Sequence, residues 1–217
     1  IGAGPAGSHL AYLLAKKGYD VHLFEEHSLV GYPCQCTGIV THSFQDVIKP
    51  KGEFVVNKIN RFRVYSPNNN FIEFKLKKQE LILDRPKFDQ YMARRAEEAG
   101  AKLFCAHKFV NAVSNDMIKI QIKDLKSKRI KFIKSKYLIG ADGPASNVAK
   151  SFDLLGNREY YSGAQATVKF KIEPDLIETY FGENFPEFFG WITPENESIV
   201  RIGLATRKNP FIYFKKF

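Results

Sequence analysis

The chain has 217 residues, 44% hydrophobic and 26% charged, a balance that excludes a disordered or collagen-like polymer and predicts one large domain or two interleaved ones. Its 33 Lys and Arg against 23 Asp and Glu leave a net charge of +10, while no apolar run approaches the ~18 residues of a membrane-spanning helix and nothing reads as a signal peptide. Three cysteines, Cys34, Cys36 and Cys105, are too few for a disulfide framework and point to a reducing interior.

The first residues, IGAGPAGSHLAYLLAKKGYDVHLFEEH, place Gly2, Gly4 and Gly7 in G-x-G-x-x-G spacing, with only Ile1 before them where a hydrophobic strand is expected. This opening, and an end in FIYFKKF with no capped helix, predict a fragment. A helix is expected over 6–17, with Leu10, Leu13 and Leu14 at helical spacing and Gly18 as its stop. A strand is expected over 19–24, completing a β-loop-α-β unit and the start of a parallel sheet. A Gly/Pro/Cys-rich loop follows over 31–41, then a second helical stretch. Strands over 61–66 and 71–76 flank Pro67-Asn68-Asn69-Asn70 and predict a hairpin. Pro86 opens a helix that carries Phe88, Tyr91, Met92, Arg95 and Ala99 and ends at Gly100. Short strands are expected over 102–106, 109–113, 117–123 and 129–133. An apolar strand then runs into a second glycine turn in KYLIGADGPASNVAK. Beyond it, 164–172, 178–181, 188–192 and 198–205 suggest an antiparallel sheet.

The fold class is therefore α/β: a Rossmann-like nucleotide-binding domain with a parallel sheet, interleaved with a mainly antiparallel β substrate domain. The expected boundaries assign 1–60 and 85–155 to the first domain, the 61–84 hairpin and 156–217 to the second.

The densest basic run, Lys119 to Lys136, alternates bases with apolar residues in MIKIQIKD and RIKFIK, the period of half-buried strands with a solvated face. No RNA-binding signature or zinc spacing accompanies it, so a nucleic-acid partner is not expected. A basic surface still favours an anionic membrane or a phosphorylated substrate.

In the first glycine loop Gly2 permits the turn, Gly4 admits a pyrophosphate to the backbone, and Gly7 lets the helix pack on the sheet. Gly2, Gly4, Pro5, Ala6 and Gly7 thus form a phosphate cradle at a helix N-terminus, where N–H groups and the helix dipole meet the negative charge. Glu25, 21 residues beyond Gly4, ends the strand where a carboxylate accepts ribose hydroxyls and repels a 2′-phosphate. Glu26 is the neighbouring candidate. Strand alternation lets only one face the ligand, and Glu25 closes the apolar run.

Gly140-Ala141-Asp142-Gly143-Pro144-Ala145-Ser146 resembles the G-A-D-G-x-x-S motif of flavoprotein hydroxylases. Together with Asp84-Arg85-Pro86 and the first loop, it is similar to the para-hydroxybenzoate-hydroxylase-type flavin fold. That resemblance implies FAD as cofactor, with Arg85, Asp142 and Gly143 in contact with it. Arg85 alternatively pairs with Asp89, and Asp142 alternatively only makes the turn. Within this group the chain resembles the geranylgeranyl reductase family. Cys34-Gln35-Cys36-Thr37-Gly38 is similar to the C-x-G loop beside the flavin, matched by Cys36 and Gly38. Phe189-Gly190-Trp191-Ile192-Thr193-Pro194, with Gly203 further on, resembles the (Y/F)-x-W-x-F-P…G-x-G signature of a lipid pocket. Thr193 stands where Phe is usual and Ala205 where the second Gly is.

The resemblance implies an FAD-dependent oxidoreductase that hydrogenates C=C bonds of prenyl chains in archaeal-type membrane lipids. Phe189, Trp191, Ile192, Pro194 and Gly203 would line the pocket, and Cys36 is the candidate catalytic thiol. It further implies a prenyl-lipid substrate, an NAD(P)H or ferredoxin-like electron donor, and a cytoplasmic protein in peripheral contact with the inner face of the membrane. The alternatives are an FAD-dependent monooxygenase or halogenase acting on a small aromatic, and a non-catalytic flavin- or lipid-binding protein. The five histidines show no metal spacing, so no metal site is expected.

Overall fold

The computed structural model describes residues 1–217, which divide into two compact units, each built from two stretches of chain. The first comprises Ile1–Gln35 and Arg85–Arg158, the second Cys36–Asp84 and Glu159–Phe217. Residues 36–60 therefore group with the hairpin rather than with the glycine loop, because their strands pair with it.

In the first unit, helix α1 (Pro5–Lys16) leads to strand β1 (His22–Phe24), three residues shorter than expected. β1 pairs in parallel with β5 (Lys102–Phe104), which follows helix α3 (Arg85–Glu98). On the other side of β1 the Gly2 amide donates to the Phe24 carbonyl at 2.8 Å, and Ile1 in turn accepts from the Ala141 amide at 2.8 Å. Residues 137–141 thus run beside Ile1, whose terminal amine also donates to the Ile139 carbonyl at 2.8 Å. One core layer packs α1 against α3 through Ala3, Ala11, Ala15, Ala93 and Ala96. The buried stripe of α1 is Gly7, Ser8, Ala11 and Ala15, while Leu13 is exposed. Helix–helix approach through small side chains displaced the leucine stripe that spacing alone suggested.

The opposite layer is a meander of β6 (His107–Ser114), β7 (Ile118–Asp124) and β8 (Ile130–Ser135), with a short helix α4 (Asn147–Ser151). Phe109, Ala112, Ile120 and Ile122 pack there with Phe24 and Val148. β7 alternates as expected. In β8 the phase is opposite: Ile133 packs inward, whereas Ile130 and Phe132 are exposed. Antiparallel register decides this by setting Ile133 opposite buried Ile120.

The second unit is one seven-stranded sheet in the order β2-β4-β3-β10-β11-β12-β9. Its strands are β2 (Ile39–Val40), β3 (Val55–Tyr65), β4 (Phe71–Leu83), β9 (Ser162–Lys169), β10 (Leu176–Tyr180), β11 (Gly190–Pro194) and β12 (Ile199–Thr206). The hairpin turn falls at Pro67–Asn70, but its strands are about twice the expected length. All pairings are antiparallel except β3–β10, which is parallel and makes the sheet mixed. At the β3 bulge the amides of Asn60 and Arg61 both donate to the Asp175 carbonyl at 3.0 Å, so the irregular residues keep partners. A short helix α2 (Phe44–Val47) lies in the stretch before β3, and α5 (Pro210–Lys216) forms where no closing helix was expected.

Candidate functional site: a nucleotide cradle and an aromatic face

The cradle in the first unit is set by three glycines with different neighbours. A methyl group on Gly7 would lie 1.9 Å from the Gly2 carbonyl oxygen, and one on Gly2 would lie 2.4 Å from the Ala141 oxygen. These two positions hold loop, helix and second turn together. At Gly4, by contrast, an added carbon meets nothing within 4 Å. Gly4 is the N-cap of α1, Pro5 and Ala6 follow in its first turn, and no side chain caps this end. The open approach therefore lies where bare amides and the helix dipole point at an incoming anion.

Glu25 is buried, and its Oε2 accepts the Ala3 amide at 2.8 Å. Its Oε1 accepts the His27 amide at 3.0 Å and lies 2.6 Å from His27 Nδ1. The strand that ends here thus delivers a carboxylate onto the glycine loop. Glu26 points the other way, to Lys108 Nζ at 2.9 Å.

Arg85 makes a two-pronged pair with Asp89 one turn along α3, at 3.0 and 3.1 Å. Burial pushes the Asp89 carboxyl above its ordinary range even against that guanidinium. The local-pairing alternative for Arg85 is thus realised. Gly31, at positive φ, brings its loop onto Pro86 at the start of the same helix.

Asp142 accepts the Ser146 hydroxyl at 2.5 Å and the Val148 amide at 3.1 Å. Ser146 caps α4 by accepting the Ala149 amide at 2.9 Å. Burial opposes ionisation of Asp142, but the bonds from Ser146 and Val148 prevail and hold its carboxyl below the usual range. Gly143 follows at positive φ with open space beside it. The aspartate thus orders the second glycine turn, which touches the first through Ala141 and Gly2.

The second unit carries the other candidates. Cys36 Sγ accepts the Gly38 amide at 3.4 Å. Gly38 has φ +86°, and a side chain there would strike the Leu83 oxygen and the Arg201 guanidinium. Arg201 is the residue sequence reasoning missed. It is buried in β12, donates to the carbonyls of Thr37 and Leu83 at 2.5 and 2.9 Å, and pairs with Glu195 at 2.5 Å. The only hint was a cation in an otherwise apolar strand, Ile199-Val200-Arg201-Ile202.

Trp191, Gly203 and Gln165 stand side by side across β11, β12 and β9. The indole lies over Gly203, where a methyl group would come within 2.6 Å of it. Gln165 Oε1 accepts both Trp191 Nε1 at 3.2 Å and Thr37 Oγ1 at 2.8 Å. Gln165, also missed, thereby joins the 36–38 loop to the tryptophan. Phe189 stacks on Phe188 at 4.3 Å and meets Trp191 edge-on at 6.0 Å, with Phe181 beside it at 5.8 Å. Ile192 and Pro194 alternate away from Trp191 along β11 and are buried, so they do not share its face. Expecting Phe189, Trp191, Ile192 and Pro194 on one wall overlooked the two-residue period of the strand. Thr193 does share that face, fully buried, with a hydroxyl that finds no partner.

Residues 1–46 match the family described as an NAD(P)-binding Rossmann-like domain, and residues 50–209 match the FAD binding domain family. Digeranylgeranylglycerophospholipid reductase 2 of Methanopyrus kandleri is 29% identical over 214 residues, covering 95% of this chain and 54% of that protein. Digeranylgeranylglycerophospholipid reductase of Methanocaldococcus jannaschii is 31% identical over 228 residues, covering 100% of this chain and 58% of that protein. The chain spans about half the length of the curated relatives it matches. A solved geranylgeranyl bacteriochlorophyll reductase-like structure from Thermoplasma acidophilum aligns with a TM-score of 0.89 at 23% identity, over 100% of this chain and 59% of that one. The fold expected from the motifs is therefore shared, and the resemblance to geranylgeranyl reductases extends along the chain. With its match across residues 50–209 added to the glycine cradle, the chain belongs to the FAD binding domain family.

Proposed function

We propose that the polypeptide containing this chain is an FAD-dependent oxidoreductase that hydrogenates C=C bonds of prenyl chains on a membrane-lipid precursor. The observation that carries the reading is the pairing of two constellations within one chain. A glycine cradle with a buried acid suits a dinucleotide, and an aromatic face is tied through Gln165 to the Cys36–Gly38 loop. The similarity to lipid reductases supports the substrate class.

The residues fit the cofactor: Gly4 leaves room for a diphosphate, the first amides of α1 face it, and Glu25 accepts ribose hydroxyls while repelling a 2′-phosphate. Gly143 and the turn fixed by Asp142 would hold the remaining part of the nucleotide, and Arg85, kept at the start of α3 by its pair with Asp89, would reach it from there. When bound, FAD supplies the hydride chemistry that no side chain of the protein provides. Trp191 and Phe189 present flat apolar surface that orients a prenyl chain and excludes water from it. Reduction of an isolated alkene also needs a proton, and Cys36 is the proposed donor from its loop position. Electrons come from NAD(P)H or a ferredoxin-like protein. No helix is long and apolar enough to cross a membrane; the reading places substrate contact at the periphery of the membrane, on its cytoplasmic face.

The test incubates the flavin-loaded polypeptide with dithionite and a geranylgeranyl lipid under anaerobic conditions. Mass spectrometry is expected to show products heavier by successive hydrogen pairs. No mass gain, or oxygen-dependent turnover of a small aromatic instead, overturns the proposal.

A further inference from the structure

The outer face of the β6–β8 meander is left without a role by the site above. Its rows set Val113, Lys119 and Lys134 side by side, then Asn111, Gln121 and Phe132, then Lys108, Lys123 and Ile130. Phe132 is 74% exposed, Val113 and Ile130 each 51%, and Val110 at the bulge 43%. Lys108 pairs with Glu26. Lys119, Lys123 and Lys134 are exposed and form no ion pair. The acids nearest along the chain are Asp116, in the β6–β7 turn, and Asp124, which faces His107 and Lys131.

Large apolar side chains in open water are unfavourable, so a face that mixes them with unpaired cations calls for a partner of matching chemistry. An anionic membrane interface has both parts, phosphates for the lysines and an apolar layer just beneath for the ring. A single-stranded nucleic acid would also meet lysines and stack on Phe132, but it offers nothing to Val110, Val113 and Ile130.

We propose that this face docks on the surface of an anionic phospholipid bilayer, with Phe132, Ile130 and Val113 entering the headgroup layer while Lys119, Lys123 and Lys134 meet lipid phosphates. The inference deepens the lipid reading above by naming the membrane-facing surface, but it is argued from the exposure and charge of the first unit alone.

The test sediments the 217-residue chain with phosphatidylglycerol-containing vesicles and with pure phosphatidylcholine vesicles. Binding is expected on the former, at least about tenfold stronger and weakened by salt. At about fivefold per lysine, Lys119→Gln with Lys134→Gln lowers it roughly 25-fold. Phe132→Ser lowers it about tenfold with no change in melting, because the ring is exposed. Lys77→Gln with Lys78→Gln, which removes the same charge from exposed positions on β4, leaves binding within about twofold. Equal binding to both vesicles, equal loss in the two lysine pairs, an unaffected Phe132→Ser variant, or displacement of the vesicles by an RNA oligonucleotide each overturns the proposal. Vesicle binding requires neither flavin nor turnover, so its failure is distinguishable from an absent mass gain in the reductase assay.

Discussion

The two units hold their candidate residues by opposite means. In the first, the cradle is almost entirely backbone: glycine contacts, helix amides and one carboxylate that binds the adjacent loop. In the second, side chains do the holding. Arg201 clamps the 36–38 loop from 164 residues away along the chain, and Gln165 ties it to Trp191. A backbone site tolerates side-chain change but not added volume. A side-chain site fails when one polar partner is removed.

The largest effect that sharpens this contrast is expected from Arg201→Ala. It strands the buried Leu83 carbonyl and the half-buried Thr37 carbonyl and leaves Glu195 without its cation. A loss of about 3–5 kcal/mol is expected, read by urea denaturation, with hydrogen exchange accelerating in the second unit. A loss below about 1 kcal/mol would break the comparison.

Next come the glycines. Gly7→Ala forces a carbon onto the Gly2 oxygen and is expected to destabilise the first unit by about 3 kcal/mol. Gly4→Ala has room and an ordinary φ of −66°, so melting should hold within about 1 kcal/mol while FAD binding is lost. Calorimetry paired with flavin titration separates the two, and equal behaviour of both variants refutes the cradle.

Smaller again is the acid pair. Glu25→Gln turns an amide donor toward the Ala3 or His27 N–H and is expected to weaken FAD about tenfold, corresponding to about 1.4 kcal/mol. Glu26→Gln removes only a half-exposed ion pair with Lys108 and should leave affinity within about twofold. Fluorescence quenching of added flavin measures both.

The smallest effect is acid sensitivity of the second unit. Hydrogen bonds from Arg63 and Arg61 hold the Glu73 carboxyl below its ordinary range, and Arg61 does the same for Asp175. Because these pKa values are depressed in the folded state, their stabilisation is complete above about pH 5 and is lost as pH falls through about 4 and below. Glu80, raised by burial, works in the opposite direction. The groups are partly exposed, so salt should flatten the slope, and Arg61→Gln should remove the Asp175 share of it in acid melts while the Glu73 share, held chiefly by Arg63, persists. A slope unchanged in that variant assigns the effect elsewhere.

On the buried side of the same network, Glu178 accepts Arg63, Tyr65 and Tyr180. Burial first, and then that carboxylate, drives the Tyr180 phenol well above its ordinary value. The network links β3 to β10 across the only parallel pairing of the sheet.

Some of this was legible in the residues themselves. The glycine loop, the acid 21 residues beyond Gly4, the Asn-rich hairpin turn and the meander are local features, dictated by φ requirements, helix capping and two-residue alternation. Glu25 rather than Glu26 turns toward the loop because adjacent strand residues face opposite ways. What only the tertiary structure decided were matters of long-range register and close approach. The small-residue stripe of α1 won over its leucines because α3 comes near, and Phe132 faces outward because Ile133 is set opposite Ile120. Arg201 and Gln165 became functional candidates because partners 128 or more residues away along the chain meet them. Local sequence sets which conformations are available to a segment, but which polar groups are buried together depends on strand order, and that order is a property of the whole sheet.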